Sequence, residues 1–170
     1  MEISTAAVKE LRERTAVGIM DCKKALTEAG GDMAKAEELL RRRGMATADK
    51  KRARAASEGL IKAYVHQGDR LGVLVELNCE TDFVAHTAEF QELAQNLVLQ
   101  IAATAPRFIS PEEVPPGDEG DLKEECLLLQ TFVKDPAKTI QDIITETVAK
   151  VGENIQIKRF ARFELGVGEP

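Results

Sequence analysis

The sequence predicts an α+β protein: an N-terminal three-helix module, a basic helical linker, and a core of a small antiparallel three-stranded sheet with packed helices. Three observations carry this. Apolar residues recur at helical spacing up to about residue 45, and the pattern changes to strict alternation after residue 57. Between the two lies RRRGMATADKKRAR, residues 41–54, with seven Lys or Arg against one Asp. That block carries +6 in a chain of net charge −6, which leaves −12 elsewhere. The expected divisions are 1–45, 46–56 and 57–170.

In the first module Ile3, Ala7, Val8 and Leu11 share one helical face. Gly18 punctuates the turn that follows. Met20, Ala25, Leu26 and Ala29 suit a second helix, and Gly30-Gly31 leads to Asp32, a good N-cap for a third with Ala36, Leu39 and Leu40. Three short helices make a small core, so Ile19 and Met20 beside Gly18 are either its last members or an exposed apolar pair. Spacing alone favours the core for Met20 and leaves Ile19 open. The basic run is either an RNA contact, because clustered cations attract phosphate, or a solvated helical linker. It has no aromatic residue to stack on a base and no Gly-rich loop, which favours the linker; direct nucleic-acid binding is not expected.

After the linker, Ile61, Ala63 and Val65 alternate with Lys62 and Tyr64, QGDR makes a turn, and Val73, Val75 and Leu77 alternate with Leu74 and Glu76. This is a hairpin. Phe90, Leu93, Ala94, Leu97, Val98 and Ile101 then line one face of a helix that Pro106 closes. Residues 106–121 hold four of the six prolines and read as an exposed connector. Asp135-Pro136 is expected to start another helix, with an apolar face of Ile140, Ile143, Ile144 and Val148 and with Gly152 ending it. NIQIKRFARFEL supplies the third strand. Its Ile155, Ile157, Phe160 and Phe163 do not share one face without a bulge or a two-sided environment.

Composition excludes several classes. No apolar run approaches the length of a membrane span, and the N-terminus shows no signal-peptide core, so an intracellular chain is expected. Cys22, Cys79 and Cys126 are odd in number and lie far apart, which suggests neither a disulfide framework nor a zinc site. Cys79, Asp82 and His86 are close in sequence, and a Cys–His pair can make a nucleophile. Cys79 also continues the inward alternation of Val73, Val75 and Leu77, however, and a buried apolar role is preferred. His66 and His86 read as capping or packing residues. No enzyme and no cofactor are predicted.

One residue resists pattern reading. Phe83, in ELNCETDFVA, falls on the alternation after Leu77, Cys79 and Thr81, so the strand either continues and buries it or ends near Asn78 and leaves it outward. Alternation permits both and leans toward burial.

The blocks LRERTAVGIMDCKKAL, GD, LRRRG, ELNCETDFVA, FVKD and GENIQIKRFARFEL closely resemble the elongation factor Ts family, exchange factors for the translation GTPase elongation factor Tu, and run in the family's order over most of the chain. The resemblance implies a ubiquitin-associated-like N-terminal module, a sheet-and-helix core and a cytoplasmic role in promoting GDP release. Matched by motif, the residues implied to contact the GTPase are Leu11, Arg12, Ile19 and Met20 in the module and Thr81, Asp82, Phe83 and Val84 in TDFV. There are departures. The family usually has methionine where Ile19 stands and glycine where Ala16 stands, and many members carry a longer helical insertion between the acidic connector and FVKD. Without the resemblance, a ubiquitin-associated-like protein-binding module or an RNA-binding protein would be the alternatives. A homodimer is expected, because one helical layer cannot cover both faces of a three-stranded sheet and short family members carry a single core.

Overall fold

The computed structural model describes residues 3–15 and 17–167; Ala16, one of the departures noted above, lies outside them. The chain opens with α1 (Thr5–Thr15), whose first turn receives the Ser4 hydroxyl, and α2 (Ile19–Glu28), which begins directly after Gly18. A third helix, α3 (Met33–Lys51), starts at Asp32, whose carboxylate accepts a hydrogen bond from the Lys35 amide at 3.0 Å. Val8, Leu11, Cys22, Ala25, Leu26, Ala36 and Leu40 form the buried centre of these helices.

The third helix does not stop near residue 45. It runs through the basic block to Lys51, because nothing between Gly44 and Lys51 is a strong helix breaker and its cations are matched locally. Arg41 and Arg42 both reach Glu38 at 2.8 Å, and Arg43 pairs with Glu28. Nineteen residues at about 1.5 Å each make a rod of about 28 Å. At Gly44 it lies beside Ala149 of the core, where an added Cβ would stand 3.5 Å from that of Ala149, an ordinary contact.

Strands β1 (Glu58–Val65) and β2 (Leu71–Cys79) form the expected hairpin, registered from Glu58 opposite Cys79 to Val65 opposite Gly72. A one-turn helix α4 (Asp82–Ala85) and the long α5 (Ala88–Thr104) follow. The connector is folded back by Arg107, which pairs with Asp118 at 3.1 Å and with Glu125 at 2.8 Å, the latter on the one-turn α6 (Leu122–Glu125). Next come a two-stranded ribbon, β3 (Thr131–Phe132) with β4 (Asp135–Thr139), then α7 (Ile140–Val151) and β5 (Ile155–Glu164). The main sheet has the order β1-β2-β5, all antiparallel. Helix α5 covers its inner face, α7 packs beside α5, and α3 lies against α7.

Two expectations are corrected. Asp135-Pro136 starts no helix: Asp135 pairs with Phe132 in the ribbon and its carboxylate accepts from the Ala137 amide, while the helix begins at Ile140 under a capping box between Thr139 and Asp142. A reciprocal cap satisfies two free amides where the lone Asp-Pro signal satisfies one. The apolar set Ile61, Ala63 and Val65 of the first strand faces away from the core, with Ile61 68% exposed. Its register sets Leu60 opposite Leu77 and Tyr64 opposite Val73, so those two join the core and the odd-numbered residues point outward. The third strand contains the bulge its apolar pattern called for, and Phe163 is exposed. Leu77 pairs with Ile157 but Glu76 with Arg159, so Lys158 is an extra residue that reverses the alternation; Ile155, Ile157 and Phe160 turn inward and Phe163 emerges on the outer face.

Candidate functional site

Two turns present large apolar side chains to solvent. In the first, Gly18 leaves the chain extended (φ −57°, ψ 144°) before α2 starts, and the face of α2 that enters the core is Cys22, Ala25 and Leu26. Ile19 and Met20 therefore sit on the opposite side of the first turn, 52% and 64% exposed. Exposed Arg12, in the last turn of α1, belongs to the preceding helix of the same module. Leu11 is wholly buried. It lies beneath the turn as a support and presents no side-chain surface in this structure.

The second turn is built by the end of β2. Cys79 closes the strand, Thr81 is the N-cap of α4, and the single turn of helix sends Val84 and Ala85 inward and Asp82 and Phe83 outward. The Phe83 ring is 82% exposed, whereas Val84 is only 8% exposed and, like Leu11, is a support. Thr87 fastens the exit: its hydroxyl donates to the Val84 carbonyl at 2.8 Å and accepts from the Phe90 amide at the start of α5. Gln91 adds a bond to the Ala85 carbonyl at 2.8 Å.

Thr81 is not free to meet a partner through its hydroxyl. That group donates to Glu153 Oε1 at 2.7 Å, while Glu153 Oε2 accepts from the backbone amides of Glu80 at 3.1 Å and Thr81 at 3.0 Å. In return the Glu80 carboxylate accepts from the Asn154 amide at 2.7 Å. Sequence reasoning missed Glu153, Glu80 and Asn154. Their one legible signal was Gly152, which ends α7 in the left-handed conformation (φ 80°) and so sets Glu153 and Asn154 into a turn.

Nucleophilic chemistry finds no support in the geometry around Cys79. Its thiol donates to the Thr81 carbonyl at 3.1 Å, and burial, with the Glu153 carboxylate adding to it, pushes its pKa above the ordinary value. His86 spends Nδ1 on the Asp82 carbonyl at 2.7 Å, and His66 lies 2.7 Å from the Tyr64 hydroxyl. Among the described residues no group of three or more His, Cys, Asp or Glu converges as a metal site, and no helix is long and apolar enough to cross a membrane.

The sequence model of the family described as Elongation factor TS matches residues 3–118 and 119–167. Similar proteins include elongation factor Ts of Thermoanaerobacter sp. (strain X514), 50% identical over 196 aligned positions that take in 98% of this chain and 96% of the relative. Elongation factor Ts of Anaeromyxobacter sp. (strain K) is 50% identical over 98% of this chain and 90% of its own, and that of Moorella thermoacetica is 47% identical over 98% and 97%. These matches make the chain a translation elongation factor by class. It belongs to the elongation factor Ts family. An alignment of 196 positions exceeds the 170 residues available, so the first relative carries at least 26 residues that have no counterpart here. The family match is divided between Asp118 and Glu119, inside the connector that Arg107 folds back.

Proposed function

We propose that this protein is a guanine nucleotide exchange factor for elongation factor Tu in translation elongation, acting in the cytoplasm without chemistry on the nucleotide. The observation that carries the proposal is Phe83: a ring 82% exposed on a one-turn helix whose neighbours are buried and hydrogen-bonded, beside the exposed carboxylate of Asp82. Leaving an aromatic ring in water is unfavourable, and a partner pocket that desolvates it gains about 1.5–3 kcal/mol. A ring entering between two packed helices of a GTPase shifts them, because packed interiors move to alternative arrangements more readily than they compress. In elongation factor Tu such a shift disturbs the magnesium side of the GDP site. Coupling is reciprocal, so a factor that binds the nucleotide-free GTPase more tightly weakens GDP by the same free energy.

Ile19, Met20 and Arg12 form the second contact, on the N-terminal module, which we take as residues 1–45 of ubiquitin-associated-like type, joined to the core (57–170) by the basic stretch 46–56. Labelled GDP bound to purified elongation factor Tu tests the function: release should accelerate when this protein is added, and an unchanged rate would sink the proposal.

The working species is a homodimer. On the outer face of the sheet Ile61 (68% exposed), Val65 (61%), Leu74 (45%) and Phe163 (67%) lie together, since Val65 and Phe163 both pair across Gly72 and Ala63 and Ala161 both pair across Leu74. An apolar face that meets its own copy about a twofold axis closes with one interface. Light scattering at micromolar concentration should return twice the chain mass.

A further inference from the structure

The two apolar turns belong to different parts of the chain, and one short turn joins the Thr81 turn to the far end of α3, the helix that starts in the module of the other. After Gly152, Glu153 points its carboxylate at the Thr81 turn and receives three hydrogen bonds from it, two from backbone amides and one from the Thr81 hydroxyl. Asn154 is 97% buried, its relative exposure being 3%, and points the other way: its side-chain amide donates to the Arg54 carbonyl at 2.7 Å and to the Arg52 carbonyl at 3.4 Å, just past the end of α3. Lys51, the last residue of that helix, donates to the Gly152 carbonyl, and Arg54 lies 3.5 Å from the Glu80 carboxylate. The outgoing end of the rod that begins in the N-terminal module and the turn that carries Phe83 are thus bound to the same three residues.

The arrangement at Thr81 is unusual for an N-cap. A threonine in that position ordinarily uses its hydroxyl to accept from an amide of its own helix. Here no such bond is made, and the hydroxyl is turned to Glu153. A carboxylate receiving two successive backbone amides and a hydroxyl holds the direction of the chain at those residues, because all three donors must converge on two oxygens. The next two residues are Asp82 and Phe83.

We propose that Glu153 and Asn154 are positioning residues for partner recognition: they set the Phe83 turn and the end of α3 at one fixed spacing, so that the Ile19–Met20 patch and the Phe83 ring are offered as a single preorganised surface. The inference rests on the function proposed above. Its energetic content is a population effect. A partner that needs both contacts binds only molecules in which both are aligned, and its apparent affinity falls in proportion to the aligned fraction.

The test uses the full chain and GDP-loaded elongation factor Tu, with Glu153→Ala, Glu153→Gln, Thr81→Val and Phe83→Ala compared at saturating and sub-saturating concentration. Glu153→Ala should raise the concentration needed for half-maximal GDP release about tenfold while leaving the saturated rate near that of the parent, since a misaligned population is recovered by mass action. Phe83→Ala should lower the saturated rate itself. Glu153→Gln keeps a carbonyl oxygen for the two amides and should restore most of the affinity; Thr81→Val removes one hydroxyl bond and should raise the half-maximal concentration about threefold, a variant that serves if Glu153→Ala does not fold. A second readout needs no partner. Hydrogen exchange at the Glu80 and Thr81 amides of the free protein should quicken in Glu153→Ala while the α5 amides keep their protection. If Phe83→Ala slows release but Glu153→Ala and Thr81→Val leave the half-maximal concentration unchanged, positioning is wrong and the proposed function stands. If Phe83→Ala has no effect on release, the wedge falls and the positioning role falls with it.

Discussion

The two exposed turns solve the same problem with different materials. At Gly18–Met20 the exposed pair sits over a small core with seven buried side chains among the described residues, and α2 starts with no side-chain cap. At Thr81–Phe83 the exposed ring stands on the edge of the main core and is held by a carboxylate arriving from 72 residues away. The first turn is therefore as stable as its own module. The second is as stable as a hydrogen-bond network that belongs to the whole core. An apolar side chain can be displayed without collapsing inward in either way, but local damage should spread differently in the two.

The largest expected effect lies beneath the first turn. Leu11→Ala should cost about 2–5 kcal/mol, as buried leucine truncations do, and a three-helix core has little reserve to absorb it. Hydrogen exchange should show α1 and α2 losing protection while α5 keeps its own. Loss of protection throughout the chain would mean that the two cores fold as one.

Phe83→Ala comes next and should separate binding from folding. An 82% exposed ring contributes within about 0.5 kcal/mol to stability, so the melting temperature should hardly move. Its loss from a partner pocket, about 1.5–3 kcal/mol, corresponds to a decrease of roughly ten- to hundredfold in the exchange activity at low concentration. Asp82→Ala should act in the same direction and less. A mutant that melts far below the parent yet exchanges normally would put the ring in the folding of the core.

Met20→Asp sharpens the comparison at the first turn. With the side chain 64% exposed, the far-ultraviolet spectrum should be unchanged while the complex with elongation factor Tu weakens, by less than for Phe83→Ala because a flexible methionine loses more rotamer freedom when it is buried. Unfolding instead would mean that Met20 supports the small core.

The smallest effect is electrostatic and confined to the module side. Glu38 accepts from Arg41 and Arg42, and their side-chain hydrogen bonds hold its pKa at about 2 against an ordinary 4.5. A carboxyl whose pKa is lowered by folding contributes stability that is complete above the ordinary value and lost as pH falls through the folded one. Acid titration should therefore loosen α3 only between about pH 4.5 and about pH 2, a small change that salt weakens further, read as exchange at its amides.

Much of this architecture was legible in the residues. Gly18, Gly30-Gly31 and Asp32 punctuate the first three helices as their local chemistry requires, and Gly152 ends α7. Motif resemblance identified the family, whereas helical spacing at Met20 and alternation at Phe83 both leaned toward the core, and both side chains are exposed. The Asp135-Pro136 signal misled, because a proline after an aspartate starts a helix only when no competing cap lies ahead, and Thr139 with Asp142 is the better one. Leu11 and Val84 were carried over with their motifs although their side chains point inward.

By itself the sequence determined the fold class, the helix boundaries marked by Gly18, Asp32 and Gly152, and the family, because each depends on residues close together in the chain or on a motif read in order. Tertiary structure alone decided which faces meet water. The outward set of β1 follows from its register with β2, the emergence of Phe163 from one extra residue at Lys158, and the exposure of Phe83 from Val84 and Ala85 claiming the inward side of α4. Glu153 belongs with these. Its bonds to Glu80 and Thr81 join residues more than 70 positions apart, and no local period records a contact that exists only once the sheet has closed between β2 and β5.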